Sequence, residues 1–138
     1  MQRCSVLISI LLAVVLSASA QKLYPSEAGQ KVKCSAMIEM PKGYVSGVCM
    51  MYNDGQEVKG SIFNEFGISA IDFSYNIAKD KVKLHDVISM LNKWYIKKLL
   101  KSDLRKVLHQ LQQGNGEYRN EKYKIDYKFS TLKDDSEE

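Results

Sequence analysis

The chain has 138 residues, with 20 basic and 16 acidic side chains, a formal net charge of +4 and two histidines. These residues are the size of one domain after a short leader. The basic excess is mild and mostly lysine, which argues against nucleic acid as a partner.

Residues 1–20 have the layout of a secretory signal. Arg3 gives a positive start, an apolar run from Val6 to Leu16 is broken only by Ser9, and Ala18-Ser19-Ala20 places small residues at a cleavage site. The run falls short of the about 20 apolar residues that a membrane span needs. The mature chain is expected to start near Gln21, to be soluble, and to work in the periplasm or outside the cell. A bacterial lipid anchor would need a cysteine where Gln21 stands, and Cys4 leaves with the leader. Residues 21–133 are expected to form a single domain and residues 134–138 an acidic, disordered tail.

Cys34 and Cys49 are the cysteines that remain after processing. An even count in an oxidising compartment suggests a disulfide. Val32–Met40 and Tyr44–Tyr52 are rich in β-forming residues, and Pro41-Lys42-Gly43 between them signals a hairpin turn. An even-length loop such as Met40–Gly43 sets Cys34 opposite Cys49, whereas a three-residue loop sends the two side chains to opposite faces unless a bulge intervenes. Met37, Met40, Met50 and Met51 share this hairpin. Soft metals favour such sulfur ligands, but these four fall on both faces, so core packing or an apolar surface is the expected role. No metal or other cofactor is expected.

Asn53-Asp54-Gly55 is a second turn signal, followed by strand patterns at Val58–Phe66 and Ile68–Tyr75 with a tight bend or bulge at Gly67. Ile71, Phe73 and Tyr75 alternate with Ala70, Asp72 and Ser74, which suits a sheet covered on one side. Val82–Leu84 begins a further strand. Glu65 and Asp72 are a conceivable carboxylate pair, although carboxylates on alternating strands usually form a solvated face.

Val87–Leu111 reads as helical. On a helix advancing about 100° per residue, Ile88, Leu91, Tyr95 and Leu99 form one stripe, and Leu100, Leu104, Val107, Leu108 and Leu111 form another about 180° away. Ser102 and Asp103 are good N-cap residues. One helix sandwiched between two partners would also bury both stripes, but the cap residues favour a break near Leu100–Asp103 and two short helices, with Gly114 as the stop. Lys93, Lys97, Lys98, Lys101 and Arg105 flank the break and give a basic surface, with Trp94 and Tyr95 beside it. Such a segment can touch an anionic membrane or be a plain solvated face. Tyr123, Ile125, Tyr127 and Phe129 then alternate with Lys122, Lys124, Asp126 and Lys128, a clear strand pattern.

Catalytic chemistry is hard to find, and the protein is expected not to be an enzyme. His85 and His109 stand outside any nucleophile motif, and no zinc-protease, phosphate-loop or dinucleotide signature occurs.

The runs Lys59-Gly60-Ser61-Ile62-Phe63-Asn64-Glu65-Phe66-Gly67 and Lys93-Trp94-Tyr95-Ile96-Lys97-Lys98 resemble a family of small uncharacterised exported proteins of Bacteroidetes-type bacteria. The resemblance implies a periplasmic or envelope location and no particular activity. The order of strands, helices and strands is also similar to that of the half-barrel carriers that move lipoproteins between bacterial membranes, at the level of fold alone.

The expected fold is α+β: a curved antiparallel sheet with two short helices packed on its concave face. The leading expectation is a non-enzymatic envelope protein that binds an apolar or lipid-like ligand between sheet and helices, through Phe63, Phe66, Ile71, Phe73, Trp94 and Tyr95. One alternative is an adaptor that meets another envelope protein through the basic helix face. A third reading, a small hydrolase, needs an internal polar cleft around His85.

Overall fold

In a computed structural model, which describes residues 23–132, the first two strands form a hairpin. The expected leader, residues 1–20, and the expected disordered tail, residues 134–138, lie outside the described residues. Strands β1 (Lys31–Met40) and β2 (Gly43–Asn53) pair with Met40 opposite Gly43, leaving a two-residue turn at Pro41-Lys42. This even loop puts Cys34 directly opposite Cys49. Strands β3 (Glu57–Asn64), β4 (Ser69–Asn76), β5 (Lys81–Val87), β6 (Glu117–Asn120) and β7 (Ile125–Thr131) complete one antiparallel sheet in the order β5-β4-β3-β2-β1-β7-β6. The sheet curves into a half-barrel.

Turn chemistry explains the strand boundaries. At Asn53-Asp54-Gly55 the Asp54 carboxylate accepts from the amides of Gln56 and Glu57, and Asn53 donates to the carbonyl of Pro25, tying the N-terminal segment to the sheet. Asn64 Oδ1 accepts from the amides of Phe66 and Ile68, and Gly67 adopts φ of 78°, so the chain bends here. Phe66 therefore lies in a turn and not at the end of β3.

The concave face carries the core. Cys34, Ala36 and Ile38 of β1 line up with Val45, Cys49 and Met51 of β2, with Ile62, Ile71 and Phe73 further along, and with Tyr127 and Phe129 on the other side. Gly60 makes room for one of them: a Cβ there would stand 2.3 Å from the Phe73 ring.

The two expected short helices are one. After a 3₁₀ turn at Ser89–Leu91, a single helix α1 runs from Trp94 to Gln112 without a break. Only the second stripe, Leu100, Leu104, Val107, Leu108 and Leu111, is buried along it. Ile88 and Leu91 of the other stripe precede the helix, Tyr95 is 54% exposed and Leu99 is half-buried. The phase jump therefore separates a connection from a helix, and not two helices. Asp103 does not cap anything. It sits on the buried face of α1, one turn from Leu100 and from Val107. The helix closes in a Schellman motif: Asn115 N–H reaches the Gln110 carbonyl, Gly114 N–H reaches that of Leu111, and Gly114 takes φ of 85°.

Helix α1 contacts both edge strands, β5 and β6, and so spans the open mouth of the half-barrel. The pairing directions place the β1–β2, β3–β4 and β6–β7 turns and the β5–α1 connection at the end where α1 begins. Leu23, the β2–β3 and β4–β5 turns and the end of α1 lie at the opposite end. Among the described residues no helix is long and apolar enough to cross a membrane.

Candidate functional site

Beneath most of α1 the concave face is filled by the protein's own side chains. Near the start of α1 it opens into a groove of about 780 Å³. The β1–β2 tip contributes Met40, Pro41 and Lys42, the first turns of α1 contribute Trp94, Tyr95, Ile96, Lys98 and Leu99, and β7 and the turn before it contribute Ile125 and Tyr123. Leu100, 1% exposed, is part of its floor. No acidic residue lines it, while Lys42 and Lys98 do. Trp94 and Tyr95 meet edge to face, with ring centres 5.7 Å apart. This combination can sheathe an apolar chain and hold an acidic head at the rim.

Of the six side chains expected to bind a ligand, the structure brings Trp94 and Tyr95 together in the groove. Ile71 and Phe73 are sealed in the core at 0% and 3% exposure. Phe63 follows a register shift in β3 and lies in a shallow depression on the convex face, and Phe66 stands 78% exposed in its turn. Met40, Leu99 and Tyr123 were read only as a methionine of the hairpin, a member of a helix stripe and part of a strand pattern, because they come from a hairpin tip, the margin of a helix and a turn. No local pattern links them.

The basic surface is also redrawn. Lys93, Lys98 and Lys101 are exposed on or just before α1, and Lys97 is half-buried. Arg105 leaves this group. It forks onto the Asp80 carboxylate, with Nη2 at 2.7 Å and Nε at 3.0 Å. The same carboxylate accepts from Tyr75 Oη at 2.7 Å and meets His109 Nε2 at 2.6 Å. Its partners, Tyr75 first, then His109 and Arg105, hold Asp80 well below the usual carboxylate range. Burial and the Asp80 charge push Tyr75 up to about 12. This cluster fastens the β4–β5 turn to α1 at the end away from the groove.

A second polar anchor lies inside the core. Asp103 accepts from Tyr127 Oη at 2.7 Å and from Asn120 Nδ2 at 2.9 and 3.0 Å. Burial and then the Asp103 carboxylate push the Tyr127 phenol far above its ordinary value. Cys34 and Cys49, both fully buried, face each other as thiols. The hydrogen bond between them makes Cys34 the more acidic, whereas that bond and burial push Cys49 well up.

His85 lies on the convex face with Nε2 2.8 Å from Ser74 Oγ. The neighbouring Asp72 accepts from Ser61 and Ser69, at 2.5 and 2.6 Å, and not from His85. The depression around His85 is shallow and open, about 350 Å³, and is not the internal cleft a hydrolase reading requires. Glu65, the other carboxylate of the conceivable pair, is exposed in the β3–β4 turn. Met51 is core, Met40 lines the groove and Met50 is exposed on the convex face. Among the described residues no three His, Cys, Asp or Glu side chains converge on a metal position.

No family model, no curated protein and no solved structure matches this chain.

Proposed function

We propose that this chain is a non-enzymatic protein of the cell envelope that holds a single amphiphile, an acyl-type chain with an acidic head, in the groove at the start of α1. The observation that carries this reading is the groove itself. Its volume of about 780 Å³ falls in the range of small-molecule sites, its walls are aromatic and aliphatic, and its charged lining residues are the lysines Lys42 and Lys98. The apolar chain would lie over Leu99, Leu100 and Ile125, and the head would meet the lysines at the rim. The envelope location rests on the secretory layout of residues 1–20.

Native mass spectrometry of protein recovered from the periplasm tests the proposal. An amphiphile retained by the protein, and a thermal shift on adding acyl chains to stripped protein, are the expected results. Protein that carries no such ligand and shows no shift would refute the proposal.

A further inference from the structure

The end of the half-barrel at which α1 begins differs in kind from the rest of the surface. Most of the large apolar side chains exposed among the described residues gather there, although they come from four separate segments. Tyr44 flanks the β1–β2 turn. Phe66 and Ile68 project from the β3–β4 turn at 78% and 57% exposure. Met90 and Trp94 bracket the entry to α1, where the Met90 sulfur would stand 3.3 Å from a Cβ on Gly43. Tyr123 tips the β6–β7 turn.

Lysines neighbour the rings of three of these four segments, and the β3–β4 turn carries Glu65. The same turns, connection and first five helical residues hold Lys42, Lys93, Lys97, Lys98, Lys122 and Lys124 against Glu65 and Glu121, with Glu39 opposite Tyr44 and Asp86 near the end of β5 as the exposed acids at the adjoining strand ends. Glu121 is already engaged by Arg119 at 3.3 Å. Lys122 lies over the Tyr123 ring, 5.4 Å from its centre.

Aromatic residues at turn tips with lysines between them match one kind of partner. The centres of protein interfaces are enriched in aromatic residues but depleted in lysine. An anionic bilayer takes both: the rings settle among the headgroups, and each lysine near the surface adds attraction. We infer that this end docks on an anionic membrane surface, with Phe66, Ile68, Trp94 and Tyr123 entering the headgroup layer and the groove mouth facing the lipid. The inference rests on the amphiphile reading for its purpose: the contact is where the groove exchanges its ligand with the bilayer.

Trp94 is the chain's single tryptophan, so its emission reports the contact directly. The mature protein is mixed with vesicles of phosphatidylcholine alone, or of phosphatidylcholine with phosphatidylglycerol, in the same salt. A blue shift confined to the anionic vesicles, quenched by brominated acyl chains, is expected. Phe66→Ser with Ile68→Ser is expected to weaken vesicle binding several-fold while leaving binding of soluble dodecanoate unchanged, because neither residue lines the groove. Lys93→Gln is expected to weaken the anionic binding by about fivefold. Dodecanoate binding without any vesicle binding would overturn the docking inference and leave the groove reading standing; vesicle binding without dodecanoate binding would do the reverse. Equal binding to both vesicles, or dimerisation that the Phe66→Ser/Ile68→Ser variant abolishes in place of vesicle binding, would also overturn it.

Discussion

Tyr127 Oη donates a 2.7 Å hydrogen bond to Asp103, so a β7 residue 0% exposed and a carboxylate on the buried face of α1 share one core contact. With Asn120 of β6 as the other donor, this contact locks the helix over the β6–β7 edge of the half-barrel. Tyr127→Phe removes one donor from a buried carboxylate and is expected to cost about 1–3 kcal/mol. Asp103→Leu strands the phenol and the amide together. Adding Tyr127→Phe to that variant is expected to recover part of the loss, because the two residues act on one contact. Urea unfolding of the three variants measures this, and strict additivity would show the contact to be idle.

Asp80 makes the attachment at the far end of α1 sensitive to pH. Its folded-state pKa is depressed, so its contribution is present above the unfolded carboxylate value of about 4 and is lost as pH falls through the folded value. Tyr75 works in the opposite direction. Raised to about 12, it contributes fully below the unfolded phenol value of about 10 and loses that contribution as pH climbs from there to about 12. Thermal unfolding across pH is expected to show both flanks. Asp80→Asn should flatten the acid flank, and an unchanged acid flank would show that Asp80 does not anchor the turn.

Cys34 and Cys49 stand opposite each other in the register, which is the placement a cross-strand bond needs. Protein secreted into an oxidising compartment is expected to be two hydrogens lighter than its reduced form. It should also be more stable by about 3 kcal/mol, the chain-entropy value for a loop of about 15 residues. Intact mass before and after reduction, followed by unfolding of both forms, checks this. A reduced mass in freshly secreted protein would contradict it.

Much of the sheet was legible because it follows short-range rules. Pro41-Lys42-Gly43 marked the first hairpin but left its register open between an even and a three-residue loop, which the pairing of Met40 with Gly43 decides; the alternation at Ile71, Phe73 and Tyr75 marked the core face of β4, and Gly114 marked the helix stop. Strand β6 was not read, because Glu-Tyr-Arg-Asn is four residues long with one apolar member and gains its strand character from pairing with β7. The helix was split because its apolar residues fall in two stripes and because Ser102 and Asp103 have the chemistry of caps. The actual role of Asp103 depends on Tyr127 and Asn120, which come later in the chain and meet it only in the fold. The candidate site was half legible: Trp94 and Tyr95 stood out, while Met40 and Tyr123 join them only through tertiary structure.

Gly60 offers a check on how tightly the core is filled. A methyl group there points into the Phe73 ring at 2.3 Å, so Gly60→Ala is expected to cost about 1–3 kcal/mol through forced movement of that ring. Differential scanning calorimetry would register the loss, and a neutral result would show that Phe73 has room to move.

The central claim is that the groove at the start of α1 holds one acidic amphiphile, and calorimetric titration of the stripped mature protein with dodecanoate, below its micelle concentration, tests it most directly. Saturable binding of one molecule is expected, weakened at least about tenfold by Leu99→Asp, which sets a carboxylate in the apolar wall. Absence of saturable heat from the unaltered protein, or the same affinity in a folded Leu99→Asp variant, would contradict the claim.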